Sequence, residues 1–258
     1  MGILAPVHTI VLATRKGGSG KTTLAIGLAS AAMQAGHKVR LIDTDDQETL
    51  WNWRRRREIA EPVVERARGA GNLEHCLDSA GRVGTGLAVI DTASGIGDVT
   101  IAAIRACDLC LIPARPTLAD IEATAATFRI VRRWRRPFAF ILNQAPVQGR
   151  RSGEAADTLG SLSPDMSRVL AQPFVAMRND HQDALAAGLS ALEYAPSGKS
   201  ADELRNLWLW TQARLNDRSA SEIEGARFAT GAAHARSDVA ADASASWRET
   251  CAMWDACL

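Results

Sequence analysis

Unbroken apolar runs alternate with helically spaced stretches along most of the chain. Residues 9–13, 87–91, 109–112 and 137–142 carry such runs, with 38–43 and the short 62–67 as further strands. Continuous apolar strands belong in sheets buried on both faces. Between them, residues 24–35, 49–59, 72–80 and 117–134 have helical length and spacing, and 200–215 closes the series. Strand and helix in alternation predict an α/β fold, a mostly parallel sheet flanked by helices on both faces. Ligands of such sheets sit at the carboxyl ends of the strands, so the chemistry should lie just after each apolar run.

The first run is followed by Arg15-Lys16-Gly17-Gly18-Ser19-Gly20-Lys21-Thr22-Thr23 and then by the helix from Leu24. Strand, glycine loop and helix form the context of a phosphate cradle, in which backbone N–H groups and the helix N-terminus face an anion. Gly17, Gly18, Ser19, Gly20, Lys21, Thr22 and Thr23 are the binding candidates. Lys21 would reach the outer phosphates, and the Thr22 hydroxyl would ligate Mg2+. Two further strands, 38–43 and 87–91, end in carboxylates, Asp43 and Asp91, with Asp45 close behind the first.

Arg15 stands where the generic phosphate-loop motif begins with glycine, and Lys16 follows it. Residues 16–23 resemble the deviant Walker A motif of the ParA/MinD ATPases, and similarity in the order of landmarks covers residues 8–216. The resemblance implies a P-loop NTPase that takes ATP and Mg2+ and dimerises face to face around the nucleotide, Lys16 contacting the ATP of the other subunit. Asp43-Thr44-Asp45-Asp46-Gln47 resembles the family's switch segment Asp-x-Asp-Pro-Gln, with Asp46 in the proline position. That likeness implies that Asp45 orients the attacking water, forming the catalytic set with Lys16 and Lys21, while Asp43 supports the Mg2+ shell. Losing the proline removes a φ restraint from the switch. The strand ending at Asp91 resembles a Walker B strand, which implies that Asp91 faces the metal through water. Thr92 to Gly97 would be a second switch, with Ala93 where many relatives carry proline. Asn143 resembles the adenine-contacting position, and a turn residue is the alternative reading.

Charge changes the picture only locally, because the formal net charge is +1. Arg129, Arg132, Arg133 and Arg136 recur at helical spacing as a basic ridge, open to two readings: nonspecific contact with a DNA backbone, or a solvated face. The run Arg54 to Arg57 points all round a helix and is better read as a solvated, partly paired face than as a DNA contact. Gln148 to Arg151 adds a basic loop. Of the five cysteines, Cys107 and Cys110 form C-x-x-C, but Cys110 lies in an apolar run and reads as core.

The family resemblance implies an ATPase for partitioning plasmid or chromosomal DNA, with nonspecific DNA, a homodimer, and a centromere-binding or other DNA-bound adaptor as partners. Recruiting DNA to conjugative transfer machinery is the alternative, and a MinD-like membrane regulator a third. With no apolar run near the ~20 residues of a membrane span and no signal-peptide pattern, the expected location is cytoplasmic and nucleoid-associated. Residues 1–216 would form the ATPase domain. Residues 217–258 would form an Ala/Ser-rich, weakly ordered tail, ending in a short apolar helix through Trp247, Cys251, Trp254 and Leu258.

Overall fold

The apolar runs become the strands of one parallel sheet. A computed structural model describes residues 7–148, 150–160 and 169–225, with side chains of the last helix described to residue 217. The strands β1 (His8–Leu12), β2 (Val39–Asp43), β3 (Val63–Arg66), β4 (Leu87–Asp91), β5 (Leu109–Ala114), β6 (Phe138–Ala145) and β7 (Val175–Ala176) lie in the order β3-β2-β4-β1-β5-β6-β7. Every pairing is parallel. In β1 the side chains alternate as a strand's must: Ile10 and Leu12 enter the core on one face, Val11 on the other.

The helices are α1 (Lys21–Gln34), α2 (Thr49–Arg56), α3 (Ala70–Arg82), α4 (Asp98–Ala106), α5 (Leu118–Arg133), α6 (Arg151–Gly160), α7 (Asn179–Ala186), α8 (Ala191–Tyr194) and α9 (Lys199–Gly225). Residues of α1, α2 and α7 to α9 pack on one face of the sheet, and those of α3 to α6 on the other. β1 is central, between β4 and β5, so the loop leaving its carboxyl end emerges where the strand order reverses.

Several expectations need correction. Helices α4 and α6 were missed because Asp98–Ala106 and Arg151–Gly160 are short, 9 and 10 residues, and each buries a single large apolar side chain, Ile104 and Leu159. β5 does not stop at Ile112 but runs through Pro113, which pairs with Ile141 of β6. Its missing N–H faces the β1 side, where pairing has already ended at Leu12. The closing helix continues past residue 216 to Gly225, because residues 217–224 contain no glycine or proline to stop it. The apolar segment from Trp247 lies outside the described residues.

The basic ridge is also altered. α5 ends at Arg133, Arg135 adopts a left-handed φ of 50°, and Arg136 is carried off the helix, where its guanidinium reaches the Cys107 carbonyl at 3.5 Å. Arg129, Arg132 and Arg133 remain together and exposed on the last turns. Arg57 departs further from expectation: its side chain is 2% exposed and makes a two-pronged pair with Glu193, 2.7 and 2.9 Å. It also donates to the carbonyls of Glu61 and Gly188 and lies over the Trp53 ring. One member of the arginine run therefore ties α2 to α8, because it follows the helix end and turns inward. Cys110 is buried in β5, and burial pushes its thiol well above the ordinary range.

Candidate active site

The glycine loop bends out of β1 through two left-handed residues, Gly18 at φ 75° and Gly20 at φ 86°. A side chain at Gly20 would be excluded twice, by its backbone and by the Asn143 amide, which would overlap a Cβ placed there. Asn143 Nδ2 donates to the Ser19 carbonyl at 2.7 Å and Gln144 Nε2 to the Gly18 carbonyl at 2.9 Å. Both satisfy loop carbonyls from the β6 side, and the loop amides would serve an anion. Asn143 thus buttresses the loop; it lies inside β6 rather than at its end, and also lines a cavity of about 120 Å³ with Thr23, Arg178 and His181.

Lys21, the first residue of α1, is 7% exposed. Burial lowers its pKa, against the pull of Asp91 and Asp45, so both carboxylates stand close to its ammonium. Thr22 Oγ1 donates to Asp91 Oδ2 at 2.7 Å, while the other Asp91 oxygen is buried with no hydrogen-bond partner. Burial pushes the Asp91 carboxyl up to about 7, against the Thr22 hydrogen bond. A hydroxyl and an orphaned carboxylate oxygen side by side are hard donors that suit Mg2+. Among the described residues no group of three or more His, Cys, Asp or Glu could hold a metal ion. Further ligands here would be water and phosphate oxygens, the partners Mg2+ prefers.

Asp43 is fully buried, and its two oxygens accept from the backbone N–H groups of Asp45, 3.0 Å, and Trp51, 2.9 Å. Burial raises its pKa, and those two hydrogen bonds oppose the rise. The sequence expectation gave Asp43 to the metal; its observed contacts hold the loop that carries Asp45. Asp45 in turn accepts from Gln47 N at 2.9 Å.

Lys16 has a partner within its own chain. Its Nζ donates to Asp120 Oδ2 at 2.8 Å, and Asp120, 2% exposed, also accepts from Arg115 and Thr117. Burial pushes the Asp120 carboxyl up, but hydrogen bonds from Lys16, Thr117 and Arg115 outweigh it and hold the group below its usual range. Sequence reasoning missed this partner. Thr117-x-x-Asp120 is a capping pattern, and Thr117 does cap α5, but nothing in the spacing links that cap to a lysine 104 positions earlier.

The arginine ridge does not join this site. α5 begins beside Lys16 and runs away from it, and 16 residues at ~1.5 Å each put its last turn about 24 Å away. Arg150 and Arg151, exposed at the start of α6, follow β6 and so lie on the same edge of the sheet as the glycine loop. His181 was also missed: it lines the cavity beside Asn143, both its ring nitrogens are buried without a hydrogen-bond partner, and burial lowers its pKa.

A central left-handed glycine loop, a buried lysine at a helix start and a threonine paired with a strand-end aspartate define a P-loop protein of the ParA/MinD class. Within that class the chain belongs to the VirC1 family: the family model described as "VirC1 protein" matches residues 7–148. It is 33% identical over 121 residues to Protein virC1 of Rhizobium radiobacter, covering 45% of this chain and 52% of that one. The chain thus spans about half the length of the VirC1 relatives it matches. Among solved structures it is similar to an ATP complex of a Cyanothece McdA variant, with a TM-score of 0.66, 18% identity, and coverage of 82% of this chain and 97% of that one. It is also similar to the cell division ATPase MinD of Pyrococcus furiosus, with a TM-score of 0.64, 18% identity, and coverage of 80% and 98%. Among the described residues no helix is long and apolar enough to cross a membrane.

Proposed function

We propose that the chain is an ATP- and Mg2+-dependent dimerising ATPase that handles DNA. The observation that carries this reading is the pairing of Thr22 with Asp91 beneath the glycine loop, with one Asp91 oxygen buried and unpartnered. Loop amides and Lys21 would hold the phosphates, and Thr22 and Asp91 the ion, directly or through water. The ion, when bound, would neutralise charge on the phosphates. The cavity between Asn143 and His181 suits the base. Asp45 would orient the water, and Asp43 would act by holding Asp45.

Dimerisation through the nucleotide face is supported by exposed apolar residues on that edge: Leu118 at 41%, Val147 at 63% and Met177 at 63%. Lys16 would exchange Asp120 for the partner's nucleotide as the faces close. In such a dimer the two α5 C-termini point to opposite poles, so two ridges would serve as separate DNA contacts rather than one patch. Between the two cargoes expected from sequence, we favour delivery of DNA to conjugative transfer machinery over partitioning, because the matching family model is VirC1 and not a partition protein. A DNA-bound adaptor and a nucleoid location remain part of the proposal.

The test is retention of DNA by the purified chain with ATP, with ADP and without nucleotide, across a salt series. ATP-dependent retention that weakens steeply with salt is expected. Binding indifferent to nucleotide, or absent at low salt, would overturn the link between the ATP site and DNA.

A further inference from the structure

We propose that Arg68, assisted by Arg66, is a positioning residue that fixes the Asp45 turn for water activation, supplying the rigidity that a proline at position 46 would otherwise give. The proposal rests on the reading of Asp45 as the group that orients the attacking water.

The segment after β2 is a tight turn. Glu48 N donates to the Asp45 carbonyl at 3.0 Å, which makes Asp46 and Gln47 its two central residues. Within the turn the one side-chain hydrogen bond among the described residues is from Gln47 N to the Asp45 carboxylate, 2.9 Å, and it leaves position 46 unrestrained. The Asp46 side chain is 92% exposed, and among the described residues its N–H donates no hydrogen bond. Glu48 adopts a left-handed φ of 54°, a conformation disfavoured for any residue with a Cβ and held only when its surroundings insist on it.

Those surroundings come from β3. Arg66 is in register with Asp43, and the ladder continues one residue further, Ala67 N donating to the Asp43 carbonyl at 2.9 Å. The next residue, Arg68, therefore arrives against the turn. Its Nη1 donates to the Asp45 carbonyl at 2.7 Å, its Nη2 donates to Glu48 Oε1 at 2.5 Å, and Asp46 lies at 3.6 Å. Arg66 lies over the Trp51 ring and donates to the same Glu48 oxygen at 3.0 Å. Hydrogen bonds from Arg68 and Arg66 hold the Glu48 carboxyl below its ordinary range.

One guanidinium thus meets the first carbonyl, the second residue and the last side chain of the turn. On the inner side Asp43 holds the Asp45 N–H and the start of α2. The Asp45 backbone is pinned from both directions, and a water-orienting carboxylate needs that, since displacement by about 1 Å can cost a hundredfold in rate. The planar fork of arginine matches this set of acceptors, which a lysine's single ammonium would not.

The geometry also supplies a rescue. Asp46 occupies the second position of the turn, where proline is favoured, and its N–H is unused, so Asp46→Pro removes no hydrogen bond while locking φ. In the full chain, ATP affinity and single-turnover hydrolysis would be measured for Asp45→Ala, Arg68→Ala and Arg68→Ala with Asp46→Pro. Because the network is partly exposed, Arg68→Ala should slow hydrolysis about five- to tenfold, with ATP affinity within about twofold. Adding Asp46→Pro should restore most of the rate, which a loss of charge or of general stability would not allow. Hydrolysis at the parental rate in Arg68→Ala, or a loss that the proline does not repair, would overturn the proposal while leaving Asp45 standing. A parental rate in Asp45→Ala would instead remove the reading on which it rests.

Discussion

Asp120→Asn should strengthen ATP-driven dimerisation. In the observed structure Lys16 donates to Asp120 at 2.8 Å, with the lysine side chain 33% exposed and the carboxylate 2% exposed. If Lys16 must leave this partner to reach nucleotide across the interface, each protomer loses a charge-assisted hydrogen bond on closing. Such bonds contribute about 1.5–3 kcal/mol, and partial exposure of Lys16 favours the lower figure. Two protomers give about 3 kcal/mol, or roughly 150-fold in the dimer dissociation constant. Asparagine with its oxygen in the Oδ1 position still accepts from Arg115, and its amide nitrogen in the Oδ2 position can donate to the Thr117 hydroxyl while offering Lys16 no acceptor, so α5 should retain its start, with a small fall in Tm as the control. Sedimentation velocity over a concentration series, with Mg2+ and a slowly hydrolysed ATP analogue, reads the constant directly. An unchanged or weaker dimer, with ATP affinity intact, would refute the idea that Asp120 and the partner's nucleotide compete for Lys16.

Three further outcomes are expected. Arg57→Ala leaves Glu193 without its two-pronged partner and frees two carbonyls, so denaturant unfolding should show a loss of about 3 kcal/mol; a loss under about 1 would mean that the α2–α8 tie is dispensable. Asp91, raised to about 7 by burial, keeps a proton in the nucleotide-free native state that the unfolded chain has released above its ordinary range near 4. Stability of the nucleotide-free chain should therefore fall as pH rises through that window to about 7, and Mg2+-ATP, which needs the carboxylate, should raise Tm more at pH 8 than at pH 6. An increment independent of pH would mean that Asp91 does not face the ion. Replacing Arg132 and Arg133 together by Ala should weaken DNA binding evenly across sequences and lower the salt slope by about 2, without touching ATP hydrolysis; an unchanged slope would transfer attention to Arg150 and Arg151.

The sheet and the loop were legible because each is written locally. Ile10 to Leu12 is apolar on both faces, and three glycines with Lys21 and Thr22 leave few other foldings for the segment that follows. Asp91 could be located for the same reason, as the residue ending an apolar run. What sequence did not supply were partners across long separations. Asp120 meets Lys16, Arg68 meets Asp45, and Arg57 meets Glu193 only because parallel strands and their helices bring their ends together. The ridge was misjudged by a local error instead: continuous helical spacing was carried through Trp134, but the helix stops at Arg133 and a left-handed residue diverts Arg136. Helix α4 left little periodic signal, since its nine residues bury only Thr100, Ala103 and Ile104.

The central claim is that one lysine of the loop binds the chain's own nucleotide and the other joins two chains through it. Calorimetric titration of Mg2+-ATP into Lys21→Ala and Lys16→Ala, with sedimentation of the same samples, tests it most directly. Lys21, buried beside Asp91 and Asp45, should be indispensable, so Lys21→Ala should bind no ATP; Lys16→Ala should bind ATP with nearly parental affinity yet stay monomeric. Parental ATP affinity in Lys21→Ala, or an undiminished ATP dimer in Lys16→Ala, would contradict the account.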